Sequence, residues 1–245
     1  MKFDLKLVSI VALSSCLLAG CDITKSISIP ANAHLDHGKS TINGDVTIGD
    51  KAVVDGDLST INGDVHAGIG SRTGKLTTVN GDITVDHDAQ TGELTNVNGS
   101  IQLGHSVVAN GNVTSVNGSI DAADGAQVHG DVTDVNGNIV LCNTQAGGSL
   151  RFVNGTLLVA ANSQIKGDVT AKKPEFDSGN ASDEQHIPVM VVGPHAVIGG
   201  TITFERPGKL FVSDSAVIHA VTGVTAQKFT GVAPAGVTLP SCNDN

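Results

Sequence analysis

At 245 residues and a formal net charge of −10, the chain is acidic, which disfavours nucleic acid and anionic lipid headgroups as partners. With no Trp, no Tyr and only six Phe it excludes an aromatic-rich core, so aliphatic side chains must do the packing. Thirty glycines among many Val, Ile and Thr describe short strands separated by frequent corners.

The first predicted element is a targeting segment. Lys2 and Lys6 precede a largely apolar run, Leu7 to Leu18, too short to span a bilayer comfortably. Leu18-Ala19-Gly20-Cys21 follows and resembles the lipobox of bacterial lipoproteins. The resemblance implies that residues 1–20 are removed and that Cys21 receives a diacylglyceryl group and an acyl chain. Three acyl chains suffice for stable membrane anchoring. A plain secretory signal with an incidental cysteine is the alternative. Asp22 resembles an inner-membrane retention signal, which favours the periplasmic side of the inner membrane, with the outer membrane as the other location. Cleavage would leave 12 basic and 23 acidic residues, a net charge of −11. The membrane link would then run through lipid and not through a basic surface. Residues 21–39 read as a lipidated tether or cap.

From residue 40 the chain repeats. Seven Asn-Gly pairs, at Asn43, Asn62, Asn80, Asn98, Asn117, Asn136 and Asn154, place their glycines 19, 18, 18, 19, 19 and 18 residues apart. A repeat this short and regular specifies a solenoid, in which each unit packs only on its neighbours. A second glycine (Gly56, Gly74, Gly92, Gly111, Gly130, Gly148, Gly167) follows each pair after 11 or 12 residues, and the return step to the next Asn-Gly is always 7. Corners therefore recur at fixed places. After each Asn-Gly, apolar residues alternate as in Val46/Ile48, Ile83/Val85 and Ile139/Leu141, so both point to one face. A second face reads small-x-aliphatic: Ala52/Val54, Ser106/Val108, Ala126/Val128, Ser163/Ile165. A third, short face carries Leu58, Val113, Val132 and Val169, ending at Ile61, Val116 and Val135 in the first three cases. Three faces in 18 or 19 residues predict an all-β, three-sided parallel β-helix (β-solenoid) of about nine coils. The Asn-Gly pairs supply corners tolerant of positive φ and a stack of amides able to hydrogen-bond along the axis.

The pattern drifts at Arg151-Phe152 and stops after Val169. Residues 171–188 are polar and Pro-containing and read as an inserted loop. Coiling resumes with Val189, Val191, Ala196, Ile198 and Ile202, and again with Leu210, Val212, Ala216 and Ile218. The solenoid spans 40–222, and 223–245 form a C-terminal tail or cap. The phrases Ala126-Gln-Val-His-Gly-Asp-Val132, Ser163-Gln-Ile-Lys-Gly-Asp-Val169 and Ala196-Val-Ile-Gly-Gly-Thr-Ile202 resemble the repeats of bactofilins, a polymer-forming cytoskeletal family. The resemblance implies a right-handed three-sided β-helix that assembles end to end. It would also imply a cytoplasmic protein, whereas this chain opens with an export signal.

Candidate chemistry is sparse. Asp45, Asp64 and Asp82 follow consecutive Asn-Gly pairs, and the favoured reading is that each carboxylate is solvated and caps a corner amide; a Ca²⁺ ion relieving their repulsion is the alternative. Asp57, Lys75 and Glu93 alternate in sign down a second column, consistent with register control. His34-Leu-Asp-His37 has metal-ligand residue types but no distant partner. Cys142 and Cys242, an even pair in an oxidising compartment, are a disulfide candidate that would pin the tail to the solenoid flank. No Ser/His/Asp constellation has familiar spacing, and Cys142 has no evident base. The sequence implies no catalytic residues, no metal, no cofactor and no nucleic-acid partner. It predicts a lipid-anchored bacterial envelope protein with a structural or self-associating scaffold. The alternatives are an adhesin-like or ligand-binding surface lipoprotein and, further off, a polysaccharide-processing enzyme.

Overall fold

The computed structural model describes residues 25–174 and 187–242. Among them there is no helix, and so none long and apolar enough to cross a membrane. The chain is an all-β parallel β-solenoid of about ten coils. Its first face is an eleven-stranded sheet running from Ile27–Ile29 to Ala226–Phe229. The second is a six-stranded sheet from Gln90–Thr91 to Val197–Ile198. The His34–Leu35 and Val53–Val54 pair and single bridges through Arg72 continue that second sheet toward the N-terminal end. The third is a ten-stranded sheet from Lys39–Ser40 to Val221–Thr222. Residues 27–40 already make a coil, so winding starts ahead of the first recognisable repeat and the count exceeds nine.

The first face follows the alternation read from the sequence. Val46, Ile48, Ile83, Val85, Ile139 and Leu141 are all buried, stacked rung on rung in register. Three sequence readings of the other positions need correction. In the coil containing Ser106, the inward residues are Val107 and Ala109, while Ser106 sits at a corner with φ of 57°. After the insertion, Met190 and Val192 point inward, pairing with Leu157 and Val159, and Val189 and Val191 face outward. Both are one-residue slips, to which period-two patterns are prone wherever consecutive residues are all apolar. On the third face, Ile61 and Val135 are half-buried and lie on the outer side, while Thr60 and Asp134 occupy the interior. The odd spacing from Leu58 to Ile61 puts those two side chains on opposite sides of the strand.

That interior column is polar for six coils: Thr41, Thr60, Thr78, Asn96, Ser115 and Asp134, all buried. It then turns apolar with Phe152, Ala171 and Phe204. Phe152 and Phe204 meet edge to face across Ala171, centroids 6.3 Å apart at 89°, the favoured aromatic geometry. The insertion leaves the stack intact, because Leu157 pairs directly with Met190 and Val169 with Ile202. Lys172 Nζ donates to Glu205 Oε1 at 2.6 Å and ties the start of the insertion to the coil above.

Candidate functional site

The corners between the third and first faces carry a continuous hydrogen-bonded array along the surface. Each Asn side chain donates from Nδ2 to the Oδ1 of the Asn one coil earlier. The distances run 2.8 Å from Asn62 to Asn43, 2.8 Å from Asn80 to Asn62 and 2.8 Å from Asn98 to Asn80. Asn117 and Asn136 continue the series at 2.9 Å each, and Asn154 reaches Asn136 at 2.6 Å. Arg206 ends it, donating from Nη2 to Asn154 Oδ1 at 2.6 Å and to the Val153 carbonyl at 2.5 Å. All seven asparagines predicted from sequence thus belong to one ladder. Their backbones are not at positive φ; the glycines after them carry that conformation at Gly81, Gly99, Gly118 and Gly155. Close stacking adds a second demand, since a Cβ on Gly118 would overlap the Gly99 carbonyl.

Next to the ladder, the Asp column caps amides. Asp45 Oδ1 accepts from Asp64 N at 3.1 Å, Asp64 Oδ1 from Asp82 N at 2.8 Å, and Asp82 Oδ1 from Ser100 N at 2.7 Å. Asn138 does the same for Thr156 N. Each carboxylate is thereby turned to the coil above instead of converging with its neighbours. The second-glycine column follows the same rule, with Asp57 Oδ1 accepting from Lys75 N and Asp131 Oδ1 from Ser149 N. Lys75 Nζ donates to Glu93 Oε1 at 2.7 Å, the cross-strand pairing implied by the alternating signs. Arg151 Nη1 donates to Asp131 Oδ2 at 2.6 Å, and this hydrogen bond holds the Asp131 carboxyl below its ordinary range. His34 Nε2 faces Asp55 Oδ2 at 2.7 Å and His37 faces Asp36, so the two histidines address separate carboxylates. Among the described residues no three His, Cys, Asp or Glu side chains gather as a metal site.

Two features escape the sequence reading, and a third, the tail bridge, was read from it only as a candidate. The first is a left-handed corner between the first and second faces, held by Asn32, Lys51, Gly70, Asp88, Ser106, Gly125, Asn143, Asn162 and His195 at positive φ. Its signal was a small or β-branched residue following each of those positions, from Ala33 and Ala52 to Ala196. The second is the interior polar column. Thr60 Oγ1 donates to the Gly44 carbonyl, Thr78 Oγ1 to Gly63 and Asn96 Nδ2 to Gly81, each at 2.8 Å. Ser115 Oγ donates to Gly118 at 3.1 Å. These inner donors brace the carbonyls of the same corner glycines from within. Asp134 is the exception, since neither carboxyl oxygen finds a partner among the described residues. Burial pushes its pKa up to about 8, so the group is protonated at neutral pH.

The third feature is the course of the tail. Cys142 and Cys242 are joined by a disulfide, Cα atoms 5.8 Å apart and 100 residues apart in sequence. After Ala226–Phe229 adds a last rung to the first face, the chain returns along the outside of that sheet. Phe229 and Leu239 pack on Val140, Leu158 and Val191 in a cluster separate from the solenoid interior. Beside Cys242, Ser241 walls a shallow cleft with Thr84, His87, Gln102 and Asp121. Partial burial there raises the Asp121 pKa.

Cys21 and Asp22 lie outside the described residues. No family model, no curated protein and no solved structure matches the chain.

Proposed function

We propose that the chain is a lipid-anchored bacterial envelope protein in which the solenoid is a structural, self-associating scaffold with no catalytic role. The observation that carries this reading is the unfinished last coil. Its inward residues Ala216, Ile218, Val221, Val224 and Ala226 touch the core yet stay only partly buried. Val221–Thr222 and Ala226–Phe229 end their sheets. Open strand edges over half-covered apolar side chains are a template for another chain. A second copy of this chain offers the matching repeat. The bactofilin-like phrases fit a parallel three-sided coil, and Leu18-Ala19-Gly20-Cys21 supports the anchor.

Replacing Cys21 with Ala should move the protein from membrane to soluble fractions. Unchanged membrane partitioning would refute the anchor. Sedimentation of that soluble form at rising concentration should then show self-association, and a strict monomer would refute the scaffold reading while leaving the anchor standing.

A second reading, a ligand-binding surface lipoprotein, draws on the cleft between Ser241 and the Thr84–Gln102–Asp121 row. It predicts a co-purifying ligand that is lost from a Gln102→Ala variant of unchanged stability.

A further inference from the structure

We propose that the Cys142–Cys242 disulfide is a thiol-exchangeable latch whose opening bares an apolar docking stripe, of which the chain's own segment 230–242 is the resident occupant. Outward positions on the first face read Thr47, His66, Thr84, Gln102 and Asp121 over the early coils. They continue as Val140, Leu158, Val191 and Phe211 over the later ones. The outer side of a solvated sheet is ordinarily polar. Here Val140, Leu158 and Val191 are 2%, 7% and 0% exposed although they lie outside the solenoid wall. The change of polarity coincides with the passage of the tail, whose Leu239 sits in the same apolar cluster.

Besides the covalent bond, the cover is held mainly by the packing of Leu239 on the stripe. Strand structure ends at Phe229, and of residues 230–242 only Pro234 is buried. Cys242 is exposed and Cys142 is buried, so a thiolate from solution meets the Cys242 sulfur first. With a dithiol as reductant, one thiolate attacks Cys242 Sγ and forms a mixed disulfide. The old S–S bond breaks, and Cys142 leaves as a thiolate that takes up a proton. The reagent's second thiol then displaces Cys242, which is protonated in turn. The protein gains two electrons and two protons, and the dithiol becomes its disulfide. Thirteen residues regain chain entropy, set against the apolar packing of Leu239. What is uncovered is a row of four apolar side chains on successive coils, on the order of 15 Å long.

The test uses the full chain carrying Cys21→Ala, oxidised or treated with dithiothreitol under native conditions. Three readouts are followed: fluorescence of an apolar-surface dye, thermolysin cleavage at Val237 and Leu239, and far-UV circular dichroism. Reduction should raise dye fluorescence several-fold and speed tail cleavage at least tenfold while the β spectrum stays unchanged. Cys242→Ser should show the same without reductant. Adding Val191→Thr to it should return the dye signal toward the oxidised level. A tail that stays protected after reduction, or a β spectrum lost with the bond, would overturn the proposal. So would a dye signal indifferent to Val191→Thr.

Discussion

Asp134 is a carboxyl placed between coils that carry hydroxyls or an amide and one that carries Phe152, and it bears on stability as a function of pH. Burial pushes its pKa in the fold up to about 8, against an ordinary Asp value of 3.8. The folded state therefore holds a proton that the unfolded chain releases once pH exceeds about 4. Stability falls as pH rises from about 4 to about 8 and levels off above, the reverse of a salt-bridged carboxylate. Asn96, two coils earlier in the same column, shows that an amide fits and reaches a glycine carbonyl. Asp134→Asn should therefore stabilise the protein by up to about 4 kcal/mol at pH 7, with a gain that shrinks toward zero near pH 4. Denaturant unfolding of both proteins at pH 4, 6 and 8 measures this. A difference independent of pH would mean that Asp134 is ionised or solvated in the fold.

The Asn ladder is the element whose energetics are most exposed to test, because every rung is both donor and acceptor. Asn98 donates to Asn80 and accepts from Asn117. Asn98→Ala removes both bonds at a surface corner where water replaces them, and should cost about 1–2 kcal/mol. Asn98→Asp keeps the shape but sets a carboxylate oxygen against Asn80 Oδ1. It should cost more than Ala at pH 7 and recover relative to wild type near pH 3, where the protonated acid can donate. Equal midpoints for wild type and Asn98→Asp at pH 7 would show the ladder to be inconsequential. The ladder was legible because Asn-Gly recurs in seven coils, and the first face ahead of the insertion because its inward apolar residues keep one parity from coil to coil. The slips at Ser106 and Val189 arose where the neighbours Val107-Val108 and Met190-Val191-Val192 are apolar in both parities. Arg206 was not legible, since its contact joins residues 52 positions apart and leaves no periodic trace, whereas the Cys142–Cys242 bridge was legible as a candidate from the even cysteine pair although the tail's course was not. The left-handed corner was hidden by chemistry, because Lys51, Ser106 and His195 stand where Asn or Gly would have announced it.

The rod has two dissimilar ends, and the proposed anchor makes the dissimilarity matter. Ten coils at about 4.8 Å per coil give a length on the order of 50 Å. From Cys21 to Ile27 is six residues, a reach of at most about 20 Å. On the proposed reading, that tether keeps the first coil close to the bilayer and leaves the last coil, with Ile218 and Val224, facing away from it. The net charge of −10 sets the flanks of neighbouring copies against one another, so association concentrates where apolar edges are open. Ile218→Asp should therefore abolish self-association of the soluble Cys21→Ala form. Leu35→Asp, which alters the partly buried first coil, should leave it in place. Raising salt should strengthen association of the parent protein by screening the acidic flanks. Sedimentation velocity at several concentrations separates the outcomes. If Leu35→Asp dissolves the oligomer and Ile218→Asp does not, the working surface is the membrane-facing end. A tethered rod could then associate only by leaving the bilayer, and scaffold and anchor would be incompatible in one molecule.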